Sequence, residues 1–597
     1  MVVEAQIPGV EAWWGEYPAE QWSDAIVTAM KLGGVDNLFF VSGSELNFYQ
    51  EAIAKARAKG RPAPRLVTMM HEHVALNAAL GDTMVRNQPA ATAVHVDVGT
   101  LHYGAALHAA WRGNYPVLMT AGTGPRAFPN SMRGARSGTI QWIQEPRDQG
   151  EIVRQYTKLD HRLEHQDNPA LMVSRLLQVA MSEPRGPVYM AVPQETAMLP
   201  LQGSARFPTR DQLGLARPVW PDPSDARRIA EWLVKSDNPC MYSMKVGHQP
   251  EAIEELVRLA ELLALPYMES SNSDRMNFPN SSPYYGTGPE PRDADVLLIF
   301  EDLAPYIPGE GSPSPDAKIA WVSIDPVMSR FKTFEYRADL WTPASSAAVA
   351  RAVFEAATGM LTTSDLTRIA ARRERLGARK REMDAQDERL AQQDLAAGRL
   401  NGRVVAYELA KLLDSDAIIL NDGLSNGGFI QTYTRRYKAG TYFRSGSSAG
   451  GWGSGAAFGV KLARPNRDVV LASGDGFYTF GTPMPALWAA GHHKAAFLVL
   501  VFVNQTYGTG TTGLERSYPE GYAVAGGYEG GRFDDAPNFA KLAEAANGYG
   551  ERVSELSQLV PALRRGLDFV RENIPAVVAI DVPPPVHLTS SRGTSSG

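Results

Sequence analysis

Residues 469–508 read VVLASGDGFYTFGTPMPALWAAGHHKAAFLVLVFVNQTYG, and this stretch decides the fold. The apolar run Val469–Ala472 predicts a buried strand, which ends at the turn Gly474-Asp475-Gly476. A helix is predicted around Met484–Ala490, and a second buried strand follows at Phe497–Val503. This order predicts a parallel βαβ unit, and the carboxyl ends of its strands are where open α/β sheets bind ligands.

A side chain with a ligand oxygen follows each of these two strands. Asp475 and Asn504 offer hard oxygen ligands suited to Mg²⁺ or Ca²⁺, ions that commonly hold a phosphate as well. An Asp that caps the next helix is the alternative interpretation of the glycine turn. The distant Asn favours an ion site.

The GDG turn followed by Asn504 resembles the thiamine diphosphate (ThDP) signature of the acetolactate synthase and benzoylformate decarboxylase superfamily. The first of that family's two asparagines is replaced here by Val503. The resemblance implies ThDP and Mg²⁺ as cofactors, with Asp475, Asn504 and the backbone carbonyl of Thr506 as metal ligands. It also implies cofactor contacts in the same stretch, at Gly474, Asp475, Gly476, Phe477, Asn504, Thr506 and Tyr507.

Length and composition describe an ordinary globular protein. A chain of 597 residues with 44% hydrophobic and 21% charged residues predicts three or four domains, at one per ~150 residues. A net charge of −6 gives no reason to expect nucleic acid as a partner. No run reaches the ~18 apolar residues of a membrane span, so no membrane partner is expected. A single cysteine, Cys240, and an amino terminus without a basic segment predict a cytoplasmic protein.

Strands and helices alternate along the chain, which predicts an α/β fold with doubly wound parallel sheets. The resemblance implies three such domains: pyrimidine-binding (1–205), central (216–360) and diphosphate- and Mg-binding (404–585). Between the last two, 361–403 predicts an exposed helical connector with a charged, solvated face. Residues 586–597 are expected to form a flexible tail.

Glu72 is the leading candidate in the first domain. It follows a predicted strand, Arg65–Met69, and precedes a predicted helix, His73–Met84. An acid at a helix start is also stabilised by the helix dipole without any further role. The resemblance implies that Glu72 hydrogen-bonds the aminopyrimidine ring of ThDP, whereas the flanking His71 and His73 are interpreted as structural.

His95 stands near the end of the predicted strand Ala91–Val96, before an expected turn at 97–100. From position alone it is either a satisfied buried histidine or a proton-transfer group. The stretches HVDVGTLHYGAALHAAW (95–111) and VSGSELNF (41–48) are similar to benzoylformate decarboxylase-like proteins. That similarity implies proton transfer by His95 and a place near substrate for Ser44, with His102 a weaker candidate.

Residues 123–148 are rich in arginine, and the set comprises Arg126, Arg133, Arg136 and Arg147. Such a cluster can clamp a carboxylate or phosphate, but a solvated loop or a subunit contact explains it equally. Gln144 and Glu145 resemble a Gln-Glu pair that family members place close to the substrate, so Gln144 is a candidate catalytic residue.

Two more segments are expected to hold the cofactor. The strand Ala417–Leu420 leads to Ser425 and Asn426, where family members contact the diphosphate or substrate. Residues 446–465 resemble the family's glycine-rich turn and helix, with Gly450 at the place of a bulky apolar residue that bends the cofactor. Trp452, two positions along, is a candidate to fill that volume.

In the central domain, the turn SMKVGHQ (243–249) contains a single glycine, Gly247, whereas flavin-binding members have a glycine-rich turn at this place. We therefore expect no functional FAD.

The implied function is cleavage or formation of a C–C bond next to a carbonyl, by a 2-oxo acid decarboxylase or carboligase of acetolactate synthase-like type. A 2-hydroxyacyl-CoA or oxalyl-CoA-type lyase is an alternative supported by the arginine-rich loop. A non-catalytic ThDP-binding relative is a third, and the intact Glu72 argues against it. Because family members hold the cofactor across a subunit interface, a homodimer or a dimer of dimers is expected, with a small 2-oxo acid or related carbonyl compound as substrate.

Overall fold

The computed structural model describes residues 13–271, 273–309 and 311–584. Three parallel β-sheets follow one another along the chain, of six, five and six strands. Helices cover both faces of the sheets, and large buried clusters lie on the two sides of the first. The structure confirms the predicted α/β fold with three doubly wound parallel sheets. The domain limits stay predictions, and the expected tail at 586–597 lies outside the described residues.

The four inner strands of the N-terminal sheet are buried on both faces, as is typical of parallel sheets. Its strands are β2 (Asn37–Phe40), β3 (Arg65–Thr68), β4 (Ala90–Val94), β5 (Val117–Thr123), β6 (Asp160–Arg162) and β7 (Val188–Pro193). Their order is β3-β2-β4-β5-β7-β6. Two further strands, β1 (Gly15–Pro18) and β8 (Ser204–Phe207), form a separate antiparallel pair.

The α-helices among these strands, within the described residues, are α1 (Trp22–Leu32), α2 (Asn47–Ala58), α3 (Glu72–Arg86), α4 (Val96–Leu101), α5 (Ala105–Arg112), α6 (Ile140–Ile143), α7 (Pro169–Met181), α8 (Gln194–Ala197) and α9 (Arg210–Leu213). The predicted end of the third strand is wrong. The strand stops at Val94, and the expected turn at 97–100 lies inside α4. The reason is local, since the Gly99 N–H donates to the His95 carbonyl at 2.6 Å.

The central sheet has the strand order β10-β9-β11-β12-β13. These strands are β9 (Pro239–Ser243), β10 (Tyr267–Glu269), β11 (Val296–Phe300), β12 (Lys318–Ser323) and β13 (Leu340–Pro343). Three amphipathic helices pack on it: α10 (Pro223–Lys235), α11 (Pro250–Leu263) and α12 (Ser346–Thr358).

Helix α13 (Thr363–Ala396) forms the connector, and its predicted solvated character is partly wrong. Arg372, Lys380, Asp387 and Asp394 are buried. The Arg372 guanidinium donates to the carbonyl oxygens of Ala264 and Ser236 at 3.1 and 2.8 Å. One face of the helix is therefore fastened to the central domain by a buried charge, which composition alone does not distinguish from a solvated one.

The C-terminal sheet has the order β15-β14-β16-β17-β19-β18. Its strands are β14 (Ile418–Asp422), β15 (Tyr442–Phe443), β16 (Val469–Gly474), β17 (Leu498–Val503), β18 (Tyr549–Val553) and β19 (Ala576–Asp581). Its helices are α14 (Gly402–Leu412), α15 (Gly427–Thr434), α16 (Gly453–Ala463), α17 (Asp475–Phe480), α18 (Pro483–His492), α19 (Gly508–Ser517), α20 (Tyr522–Ala525), α21 (Phe539–Ala545) and α22 (Leu556–Arg571).

Helices α3 and α16 join the N- and C-terminal sheets by a close crossing built on small residues. A Cβ atom added to Gly81 would overlap the carbonyl oxygen of Ala456, and one added to Gly459 would overlap that of Ala78. The backbones approach so closely because these positions carry no side chain.

Helices of the described residues are all too short or too polar to cross a lipid bilayer.

Candidate active site

Asp475 organises the strand ends of the C-terminal sheet. Its Oδ2 accepts hydrogen bonds from the backbone N–H groups of Asn504 and Gln505 at 2.9 and 2.7 Å. Asn504 Oδ1 in turn accepts from the Thr506 N–H at 3.0 Å. Because β16 and β17 are neighbours, the three predicted metal ligands, Asp475, Asn504 and Thr506, lie together at one sheet edge.

The charge of Asp475 has no counter-charge within the described ranges, where no lysine or arginine forms an ion pair with it. The side chain is buried, and this burial raises the pKa of Asp475 even though three backbone N–H groups stabilise the carboxylate. A buried carboxylate is costly unless a cation is bound. A Cβ atom on the adjacent Gly474 would meet nothing within 4 Å, so the space above the turn is open. This donor set fits a divalent cation that holds a diphosphate.

Phe477 fills the volume beside Gly450. A Cβ atom at position 450 would overlap the Phe477 ring, so this ring occupies the place where the resemblance implies a bulky side chain. Trp452 is buried in the core at the start of α16. The apolar surface at this point therefore comes from Phe477, two residues after Asp475.

Tyr507 completes an aromatic wall on the other side of the glycine turn. Its ring stacks on Phe480 with centroids 5.8 Å apart and packs against Phe533 at 4.9 Å. A Cβ atom on Gly476 would lie 2.9 Å from the Tyr507 ring, which explains why glycine stands there.

The strand end of β14 holds Ser425 and Asn426, and also Asp422, which lies in the same predicted contact segment but was not singled out as a site residue. Asn426 directs its carboxamide toward Gly402, where an added Cβ atom would overlap Oδ1. Asp422 accepts hydrogen bonds from the Gly451 and Gly453 N–H groups, each at 3.1 Å. Burial raises the pKa of Asp422 to about 7, against the effect of these hydrogen bonds. The sequence signal that could have identified Asp422 is its position at the carboxyl end of a buried strand.

Glu72 is the first residue of α3 and is almost fully buried. Its Oε2 lies 3.1 Å from Nδ1 of His102, whose ring stacks on that of His71 at 5.4 Å. Within the described residues Oε2 alone has a hydrogen-bond partner, so Oε1 is available to a ligand. His102, the weaker candidate on sequence, is thus the histidine that contacts Glu72.

His95 contacts a different acid, Glu45, which sequence reasoning missed. The His95 Nε2 and Glu45 Oε2 atoms are 2.6 Å apart, and Ser44 Oγ donates to the same oxygen at 2.6 Å. Gln141 Nε2 donates to Oε1 at 3.2 Å. Burial opposes ionisation of Glu45, but these hydrogen bonds outweigh it and lower its pKa to about 2. The sequence signal for Glu45 was its position directly after Ser44, in a turn already expected near the substrate.

The arginine-rich loop neutralises part of its own charge. Arg126 and Arg136 both pair with Glu145, the former at 2.8 Å, whereas Arg133 and Arg147 are exposed. Gln144 is buried, and its Nε2 has no hydrogen-bond partner among the described residues. The neighbouring Gln141, rather than Gln144, reaches the Glu45–His95 pair.

A cavity of about 440 Å³ lies where the three sheets meet, and we call it the junction cavity. The N-terminal part contributes His108 and Arg112, and the central part contributes Lys245 and Phe331 among others. From the C-terminal part come the strand end 421–424 and the glycine loop 444–450, together with Trp452 and Phe477. The predicted cofactor residues Gly450, Trp452 and Phe477 therefore face this cavity.

Comparison with known proteins agrees with this geometry. Residues 21–152 match the thiamine pyrophosphate enzyme N-terminal TPP binding domain, and residues 425–580 match the C-terminal TPP binding domain. Thiamine pyrophosphate is another name for ThDP. The two matched segments are those that contain Glu72 and Asp475.

Similar curated proteins include benzoylformate decarboxylase of Pseudomonas aeruginosa, 24% identical over 74% of this chain and 80% of that protein. A probable acetolactate synthase of Mycobacterium bovis is 26% identical over 94% of this chain and 95% of that protein. A solved structure of a putative thiamin diphosphate-dependent enzyme from Mycobacterium smegmatis superposes with a TM-score of 0.72 at 19% identity, covering 95% of this chain and 100% of that one. The chain belongs to the thiamine diphosphate-dependent enzyme superfamily that contains acetolactate synthase and benzoylformate decarboxylase.

Proposed function

We propose that this protein is a ThDP- and Mg²⁺-dependent 2-oxo acid decarboxylase or carboligase of acetolactate synthase-like type. The observation that carries the proposal is the buried Asp475, which forms no ion pair with a basic side chain of the described residues and accepts hydrogen bonds from the backbone at Asn504 and Gln505. Asp475, Asn504 and the carbonyl of Thr506 would hold the metal ion. When bound, ThDP supplies a nucleophilic thiazolium carbon and an electron sink for the bond next to a carbonyl.

Two acids of the N-terminal domain, Glu72 and Glu45, have different proposed roles. Glu72 would hold a proton at the ring nitrogen of the aminopyrimidine through Oε1, which has no hydrogen-bond partner in the described part of the chain. Glu45 stays ionised, since its pKa is about 2, and would keep the His95 ring in one orientation. His95 would then transfer a proton to or from the substrate, with Ser44 beside it.

Exposed apolar side chains support a dimer in which the two halves of the site come from different subunits. Met70 and Leu101, near Glu72, are 53% and 58% exposed. Phe480 and Met484, close to Asp475 in sequence, are 52% and 42% exposed. Large apolar groups at both half-sites are typical of a surface that another chain covers.

The test is a calorimetric titration of ThDP with Mg²⁺ into the wild type, Glu72→Gln and Glu45→Gln, followed by CO₂ release from a panel of 2-oxo acids. We expect all three proteins to bind the cofactor. Glu72→Gln is expected to lose turnover, and Glu45→Gln to keep KM but lose about 10²-fold or more in kcat, the scale of proton-transfer catalysis. A wild type that binds no ThDP would contradict the proposal.

The same panel separates the activity classes. CO₂ release without an acceptor identifies a decarboxylase, whereas release only with a second aldehyde or oxo acid identifies a carboligase. Binding of CoA in the absence of any oxo acid would instead support the oxalyl-CoA-type alternative. A wild type that binds ThDP but turns over none of these compounds would favour the non-catalytic relative.

A further inference from the structure

Three basic side chains line the junction cavity: Arg112, Lys245 and Arg444. They come from three distant parts of the chain and are brought together only by the tertiary fold. Arg112 is on α5 of the N-terminal part, Lys245 follows β9 of the central sheet, and Arg444 follows β15 of the C-terminal sheet.

None of the three forms an ion pair with a carboxylate of the described residues. The Arg112 guanidinium lies 4.4 Å from the centre of the Phe331 ring. Arg444 Nη1 donates to the backbone carbonyl of Ser271 at 2.7 Å. Lys245 Nζ donates to Asn114 Oδ1 at 3.0 Å and to the Arg112 carbonyl. Their hydrogen-bond partners are neutral groups. Burial lowers the pKa of Lys245, while the Asp274 and Glu301 carboxylates favour its charged form from a longer distance.

Asp422 is the one acid that faces the cavity among its described lining residues. Its carboxyl group is held by the Gly451 and Gly453 N–H groups, and burial raises its pKa to about 7. It therefore offsets the three cations only weakly near neutral pH. His108, on the same wall, has a buried Nδ1 with no hydrogen-bond partner in the described part of the chain.

A concave site with one sign of charge and apolar walls attracts ligands of the opposite charge. The volume is within the roughly 300–1,000 Å³ of small-molecule sites. Since Gly450 and Phe477 border the same cavity, a ligand held by the cations can extend toward the cofactor residues.

We propose that the junction cavity binds a second anionic group of the substrate, a carboxylate or phosphate distant from the reacting carbonyl, through Arg112, Lys245 and Arg444. The inference rests on the proposed function and narrows it to dianionic 2-oxo acids. Guanidinium groups suit either anion because their paired N–H donors match the oxygens of both.

The kinetic test compares three substrates in the holoenzyme: 2-oxopentanoate, 2-oxoglutarate, and the 2-oxo acid that carries a terminal phosphonate in place of the distal carboxylate. We expect one or both dianions to have a higher kcat/KM than 2-oxopentanoate in the wild type. Arg112→Gln and Arg444→Gln should each lower that value at least tenfold for the preferred dianion and change it less than twofold for 2-oxopentanoate. Arg175→Gln, on the exposed side of α7, is the matched control and should change neither.

A binding test needs no turnover. Glutarate and inorganic phosphate are titrated calorimetrically into the protein without ThDP, and whichever anion binds identifies the source of the charge. Arg444→Gln should weaken that binding at least tenfold. If oxo acids are turned over but the wild type prefers 2-oxopentanoate and binds neither anion, this inference is overturned and the proposed function stands. If an anion binds through these residues but no oxo acid reacts, the proposed function fails and the anion site remains.

Discussion

Phe477 fills the space that a side chain at position 450 would need, so the two positions should respond to mutation as a pair. Gly450→Leu alone forces the leucine into the ring, and overpacking of this kind costs about 1–3 kcal/mol. Phe477→Ala alone leaves a gap beside the cofactor residues. We expect each single variant to bind ThDP more weakly in a calorimetric titration.

The double variant Gly450→Leu/Phe477→Ala returns apolar volume to the same place and should recover most of the lost affinity. A double variant as weak as the sum of the single changes would show that the two positions act independently.

Asp422 predicts a pH dependence of stability. Its pKa is about 7 in the folded protein, against roughly 3.9 in an unfolded chain. Between these values the folded state binds more protons, so raising the pH should lower the free energy of unfolding by up to about 1.4 kcal/mol per pH unit. Urea unfolding of the wild type and Asp422→Asn, at intervals from pH 5 to pH 8, tests this.

The wild type should lose stability relative to Asp422→Asn as the pH rises, and the exposed control Asp414→Asn should track the wild type. Parallel curves for the wild type and Asp422→Asn would show that Asp422 has no raised pKa.

At the scale of elements, the crossing of α3 and α16 depends on glycine. A methyl group at Gly459 would overlap the Ala78 carbonyl of the other helix, and backbone cannot move aside as a flexible side chain does. We expect Gly459→Ala to lower the thermal unfolding midpoint, although alanine has the higher helix propensity.

Gly428→Ala, on the exposed side of α15, is the matched control. A methyl group there meets nothing within 4 Å, so helix propensity should make the change neutral or stabilising. Equal midpoints for the two variants would mean that the helices can separate without loss.

Most elements could be predicted because their apolar runs are continuous. Val469–Gly474 and Leu498–Val503 are buried along nearly their whole length, and the sequence shows this directly. The start of α4 could not be predicted, since it depends on a bond from Gly99 back to His95 and on a positive φ of 29° at Val96. The burial of Arg372 depends on carbonyl groups more than a hundred residues away.

The same distinction applies to the site in the whole molecule. Asp475 and Asn504 were predicted because each follows a recognisable strand. The contact of Gln141 with Glu45 spans 96 positions, and the junction cavity requires three sheets to meet. Such groupings arise from tertiary packing, and the local sequence pattern around each residue does not predict them.

Assembly makes a prediction at this scale. If the apolar groups near Glu72 and Asp475 pack between subunits, Phe480→Asp should shift the protein toward monomer in sedimentation velocity and weaken ThDP binding. Ile307→Asp introduces the same charge at a 65% exposed apolar residue away from both half-sites, and should do neither. A wild type that sediments as a monomer with full ThDP affinity would contradict the two-subunit site.

The residues that line the junction cavity come from different domains, and each domain can acquire substitutions independently of the others. The central sheet lends it Lys245 and Phe331, yet the residues proposed to hold the metal and diphosphate all belong to the C-terminal sheet. Substitutions in the central domain can therefore change one wall of the cavity without changing the residues proposed to hold the cofactor. A graft of residues 224–357 from a relative would replace Lys245 and Phe331, and with them one wall of the cavity, while Arg112, Arg444 and the proposed metal ligands stay in place.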